Sequence, residues 1–240
     1  MSYDFLILKE FRGTLIWDFD GTLATRDFSW EKAFLTAISS VQPDHSVQAE
    51  DVQRVLRQGF PWHLPEDTLV DRIDTSMWWA RIEAFFALAF QSLGFADHGP
   101  TLAKMVHQMA TSYDDYILIP DAMPTLAKCA EQGWNQVILS NHMPDLPDMV
   151  HGLGLTQYVS QTFASASYGY SKPSRELFEK VLATLPTREN VWMIGDSYEA
   201  DIVGGMSVGL PSILVRSLKG RHSLEASDLE EAMRIFSRLS

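Results

Sequence analysis

Thr14-Leu15-Ile16-Trp17 runs directly into Asp18-Phe19-Asp20-Gly21-Thr22. A β-branched, aromatic run of this length ending at Asp and Gly reads as a buried strand followed by a turn. Further along, apolar runs at Gln136–Leu139, Val159–Ala164, Val191–Ile194 and Ser212–Val215 read as strands. They alternate with helical patterns at Pro124–Gln132, Asp145–Gly152, Ser174–Leu185, Ala200–Val208 and Asp228–Leu239. Strands alternating with helices in this way predict an α/β fold, a Rossmann-like doubly wound parallel sheet covered on both faces.

The alternation is interrupted after the first strand. From Thr25 to Tyr113 strand signals are missing and helical ones take over. Ser29–Ser39 places Trp30, Phe34, Ala37 and Ile38 on one face. Ser46 is a candidate cap for a helix through Gln58, with Gly59 as its stop. Gly59-Phe-Pro-Trp-His-Leu-Pro65 reads as a rigid aromatic loop. Trp78, Ile82, Phe85, Phe86, Ala89 and Leu93 mark a strongly apolar helix, Asp97-His-Gly-Pro100 breaks it, and Thr101–Ser112 supplies another. The expected organisation is an α/β core of residues 1–24 and 114–240 carrying an all-helical insertion at 25–113.

Composition bounds the partners. With 46% hydrophobic and 21% charged residues the chain is of ordinary globular type. Lys and Arg number 19 against 31 Asp and Glu, a formal charge of −12, which disfavours nucleic acid and anionic membrane, both of which demand basic surface. The N-terminal stretch MSYDFLILKEFRG carries Asp4 and lacks a basic leader, so it does not read as a signal peptide. The apolar stretch near Trp78–Phe95 is broken by Arg81, Glu83 and Gln91 and is too polar to span a bilayer. One cysteine, Cys129, rules out an intramolecular disulfide framework and is expected to pack a helix. A cytoplasmic location is the default expectation, and the oligomeric state stays open. An anionic small-molecule substrate would need a local positive site in so acidic a protein.

In parallel α/β sheets, sites form beyond the carboxyl ends of the strands. Asp18 and Asp20 follow the first strand, and Ser140 and Asn141 follow the second. Gly195, Asp196 and Ser197 follow the strand ending at Ile194, with Asp201 one helical turn further, and Lys172-Pro173 precedes a helix start. Carboxylates crowded at one edge repel by roughly 4 kcal/mol per pair at about 4 Å and an effective dielectric near 20. A cation or protonation must relieve this. Oxygen ligands without His or Cys select Mg²⁺ over zinc. Mg²⁺ and Lys172 would then form the positive site an anion requires. Ser140, Asn141 and the Gly21 and Thr22 amides are candidate donors to oxyanion oxygens. A carboxylate nucleophile, a second carboxylic acid, a metal and a lysine fit phosphoryl transfer through an aspartyl-phosphate.

Four motifs in this order, Asp18-Phe-Asp-Gly-Thr22, Ser140-Asn141, Lys172-Pro173 and Gly195-Asp-Ser-x-x-x-Asp201, resemble those of the haloacid dehalogenase (HAD) superfamily. The insertion resembles that family's helical cap in position and helical character. The resemblance implies that Asp18 attacks phosphorus, while Asp20 protonates the leaving alcohol and then activates water. It further implies that Asp18, the Asp20 backbone carbonyl and Asp196 hold Mg²⁺, and that Ser140 and Lys172 bind the phosphoryl oxygens. Asp201 would orient the metal shell or Lys172, with Thr22 and Ser197 in support. Dehalogenases of this fold lack the second carboxylate, and phosphonate hydrolases need a cap lysine, so Asp20 favours a phosphatase. A phosphomutase is the nearest alternative, and a non-catalytic binding protein of the same fold the more distant one.

Other features carry blander readings. A calcium loop starting at Asp18 would need Glu at its twelfth position, where Ser29 stands. Gly204-Gly-Met-Ser-Val-Gly209 lacks the Lys-Ser/Thr of a phosphate loop and reads as close helix packing with a C-cap. Trp78, Trp79 and Phe60–His63 read as insertion core, with an apolar or ring-bearing leaving group expected where one faces the site. Arg81 reads as surface, and His142 as a candidate pocket residue.

Overall fold

The computed structural model describes residues 11–59 and 74–239. Its framework is a six-stranded sheet built from β1 (Thr14–Trp17), β4 (Asn135–Ser140), β5 (Gln161–Ala164), β6 (Val191–Gly195), β7 (Ser212–Val215) and β8 (Glu225–Ala226). The order is β5-β4-β1-β6-β7-β8, and every pairing is parallel. β1, β4, β6 and β7 are buried along their whole length, as expected of strands covered on both faces.

Side-chain alternation divides the core. Leu15, Trp17, Ile138, Ile194 and Ile213 point to one face, and Ile16, Val137, Leu139, Val191 and Met193 to the other. The first face packs against α5 (Ala122–Glu131) and α9 (Leu229–Phe236), where Phe236 meets the Trp134 and Trp192 rings at 4.7 and 5.2 Å. The second is covered by Leu177, Phe178, Val181 and Leu182 of α7 (Arg175–Leu182).

Two short strands escape the sequence pattern. β2 (Ala24–Arg26) and β3 (Tyr116–Leu118) pair antiparallel, Ala24 with Leu118 and Arg26 with Tyr116. This hairpin is the stalk from which the helical segment departs and to which it returns. That segment holds α1 (Trp30–Val41), α2 (Ala49–Leu56), α3 (Thr75–Ser92) and α4 (Gly99–Thr111) among the described residues. α1 starts at Ser29, whose hydroxyl accepts from the Lys32 amide. α2 starts later than Ser46 suggests: Gln48 and Asp51 form a reciprocal capping box there. Phe34 of α1 stacks on Phe90 at 4.4 Å and meets Phe86 edge-on at 5.0 Å. Trp78 and Trp79 are buried, Arg81 is exposed, and the loop expected at Gly59–Pro65 lies, beyond Gly59, outside the described residues. No described helix is long and apolar enough to cross a membrane.

The chain steps from β1 to β4 and β5 on one side, then returns to β6 on the other. The strand order therefore reverses at β1, where doubly wound sheets place their sites. Trp17 pairs with Ile138 and with Ile194, so Asp18, Ser140 and Asp196 emerge side by side.

Candidate active site

Lys172 is the hub. Its ammonium donates to Asp18 Oδ1 at 2.6 Å, to Asp201 Oδ1 at 2.5 Å and to the Leu139 carbonyl at 2.9 Å, which occupies all three of its protons. Burial alone would push this ammonium down. The Asp18 and Asp201 carboxylates more than offset that and hold its pKa above the usual lysine range. Asn141 sets the loop that delivers it: the Asn141 side chain donates to the Lys172 carbonyl at 2.9 Å and accepts from the Lys172 amide at 2.7 Å. Asn141 is thus bound to the lysine's backbone.

Asp201 lies in a π-helical turn (Tyr198–Val203), fully buried, and accepts from the Ser197 amide at 2.9 Å. Ser197 also caps that turn, its hydroxyl accepting from the Ala200 amide. Burial raises the Asp201 pKa, against the pull of Lys172. Any Cβ at position 195 would collide with the Asp201 carboxyl, so Gly195 is the space this carboxylate occupies. Asp196 is exposed at the edge, and its pKa is pushed up to about 6 by the partial loss of water around its carboxyl and by the neighbouring Asp18 charge. Oxygens of Asp18, Asp196 and Asp201 all lie within 4.8 Å of one another. With Lys172 bonded to two of the three, Asp18 and Asp201, this hard-oxygen group suits a divalent metal.

The first turn is tightly bound. Thr22 Oγ1 lies 3.4 Å from Asp18 Oδ2. Gly21 takes φ of +82°, a conformation glycine adopts at little cost, and a Cβ there would collide with the Asp196 carboxyl. The Gly21 amide donates to the Ala24 carbonyl at 2.8 Å and the Thr22 amide to Phe19 at 3.3 Å. These two amides close the turn instead of facing an incoming anion. Arg216 secures the turn from behind, donating to the Thr22 carbonyl at 2.9 Å and to Asp121 at 2.6 Å. Ser140 ends β4, buried.

Asp20 stands apart from the cluster, its side chain 45% exposed. The protein around it raises its pKa, and Asp18 adds to this, while His142 and Tyr116 oppose it. Tyr116 has no motif around it, and only the β2–β3 pairing brings it here. His142 is buried beneath the site rather than lining it openly. Trp79 reaches from α3 to Asp145, beyond β4, with its indole donating at 2.6 Å, and stacks on His107 at 3.7 Å. It therefore packs where the helical segment meets the sheet.

The chain matches the family model of the haloacid dehalogenase-like hydrolases over residues 13–209. It is 34% identical over 117 residues to a ribulose-1,5-bisphosphate 5-phosphatase of Halopiger xanaduensis, covering 48% of this chain and 49% of that protein. It is also 24% identical over 212 residues to the human haloacid dehalogenase-like hydrolase domain-containing protein 3, covering 84% and 80% of the two chains. The match to the first of these relatives spans about half of that protein's length. A 2-haloacid dehalogenase structure from Pseudomonas syringae superimposes with a TM-score of 0.69 at 18% identity, covering 95% of this chain and 99% of that one. That likeness is one of fold.

Proposed function

The chain belongs to the haloacid dehalogenase-like hydrolase family, and on that premise we propose that it is a Mg²⁺-dependent phosphomonoesterase of a small metabolite, working through an aspartyl-phosphate. The carrying observation is the pair of carboxyls two residues apart in unlike settings. Asp18 is buried and ion-paired to Lys172, while Asp20 is about half-exposed with a raised pKa. Two carboxyls so separated divide into nucleophile and acid. The phosphatase named among the relatives supports the reading.

Asp18, Asp196 and the Asp20 backbone carbonyl would hold Mg²⁺. The ion would neutralise the phosphoryl oxygens and polarise the phosphorus centre. An Asp18 carboxylate oxygen attacks phosphorus while the bond to the ester oxygen breaks, and Asp20 gives its proton to that oxygen. Asp20, now a carboxylate, takes a proton from water. The hydroxide attacks phosphorus, the bond to Asp18 breaks, and inorganic phosphate leaves. Ser140 donates to a phosphoryl oxygen. Lys172, its protons committed to the protein, acts through its charge and by fixing Asp18. Asn141 places Lys172, Asp201 holds it from the far side and is itself held by the Ser197 amide, and Gly21 and Thr22 shape the turn that presents Asp18. Residues 25–113 act as the cap that closes over this edge. A halide needs no proton as it leaves, whereas an alkoxide does, and Asp20 supplies one.

p-Nitrophenyl phosphate and a panel of metabolite phosphates, assayed with Mg²⁺, with EDTA and in Asp18→Asn, test the reading. Turnover with Mg²⁺ alone, lost in EDTA and in the variant, is expected. Full activity in Asp18→Asn, or turnover of 2-haloacids with no phosphate ester hydrolysed, would overturn it.

A further inference from the structure

Asp20 is exposed, yet its carboxyl is bonded by one residue from outside its own turn, and that residue is anchored by a second. The Tyr116 hydroxyl lies 3.1 Å from Asp20 Oδ1 and 3.0 Å from His142 Nε2. His142 Nδ1 faces the Met143 carbonyl at 3.1 Å, so that nitrogen carries a proton and donates it. The histidine is fixed as well through its backbone, whose amide donates to Ser165 Oγ at 3.1 Å. The Tyr116 ring has little room to swing: Phe19 lies 5.2 Å from it, centre to centre, and the Arg26 guanidinium sits 4.7 Å from its centre on the other strand of the hairpin.

We propose that Tyr116 and His142 are positioning residues for Asp20, the phenol aiming the carboxyl at the leaving-group oxygen and the imidazole holding the phenol. This rests on the assignment of Asp20 as the proton donor. A half-exposed carboxyl on a turn would otherwise sample several rotamers, and proton transfer rewards one orientation. A hydroxyl suits the task because its oxygen both donates and accepts. Before the proton leaves, the carboxylic acid donates to the phenol oxygen while the phenol donates to His142 Nε2; afterwards the phenol turns its one proton to the carboxylate. An amide or ammonium could not fill both roles from one atom. The arrangement is supplied by β3, the strand on which the chain returns from its helical segment.

The test compares kcat/KM for p-nitrophenyl phosphate and phenyl phosphate, which share the aryl phosphate framework and differ in how much the leaving oxygen needs a proton. In Tyr116→Phe, the phenyl ester is expected to lose between about tenfold and 10²-fold, the scale of a misaligned catalytic group. The nitrophenyl ester is expected to change by less than about twofold, because its leaving group departs without protonation. His142→Gln, which keeps the phenol and alters its anchor, is expected to show the same asymmetry, smaller, and carries the test where the phenylalanine variant does not fold. Equal losses on both esters in an active, folded variant would overturn the positioning role. Hydrolysis of neither ester by the wild-type protein would instead overturn the phosphatase reading beneath it.

Discussion

Replacing Lys172 with Met removes the cation from the centre of the site and leaves Asp18 and Asp201 facing each other. Lys172, Asp18 and Asp201 are 4%, 5% and 0% exposed, so water cannot take the lysine's place. Their carboxylate oxygens lie within 4.8 Å. At an effective dielectric near 20, two unit charges at that separation repel by about 3 kcal/mol when both groups are ionised. This agrees with the roughly 3–5 kcal/mol lost when one partner of a buried ion pair is removed. For a chain of this length each kcal/mol moves Tm by about 2–4 °C, so the expected loss is about 6–20 °C. Calorimetry in EDTA near neutral pH measures it. The double variant Lys172→Met/Asp201→Asn removes one of the stranded charges and is expected to recover at least about half of the loss, because neighbouring sites couple. A single variant melting within about 2 °C of wild type, or a double variant no more stable than the single, would refute the hub assignment.

Two further outcomes follow. In metal-free protein, the folded pKa values of Asp196, raised to about 6, and of Asp201 lie above the ordinary carboxylate value. The folded state therefore binds more protons than the unfolded one, and this stability is fully present below about 3.8 and lost as pH rises through about 6. Tm in EDTA should thus climb as pH falls from neutral towards 5, whereas the stabilisation added by Mg²⁺, which needs the carboxylates, should grow as pH rises; a metal-free Tm that falls over that interval contradicts the assignment. Phe34→Ala empties the space between Phe86 and Phe90 and should cost about 3–5 kcal/mol, read as a lower urea midpoint.

The strands that present Asp18, Ser140 and Asp196 at their ends were legible because central parallel strands are continuous apolar runs. Packing glycines were legible too: Gly204 sits against Phe178, Gly205 against Ser212 and Met193, and Gly209 has φ of +80°. The β2–β3 hairpin was not, since its strands are three residues each and 89 residues separate them. With that pairing unseen, Tyr116 had no path to Asp20. β8, two residues long, is recognisable only by its place beside β7. Motif order likewise does not reveal where individual donors point: the Gly21 amide and the Asn141 side chain are spent on backbone partners. A donor's direction depends on turn geometry and on a loop 31 residues away.

In the proposed mechanism Asp18 carries the phosphoryl group between two steps that share Asp20. The most direct test is intact-protein and peptide mass spectrometry of Asp20→Asn, quenched in acid during turnover of a phosphate ester with Mg²⁺. The expected result is one added phosphoryl group, on the peptide holding Asp18 and missing from Asp18→Asn. Hydrolysis at the wild-type rate with no phosphoryl group on that peptide, or with the group on another residue, would contradict it.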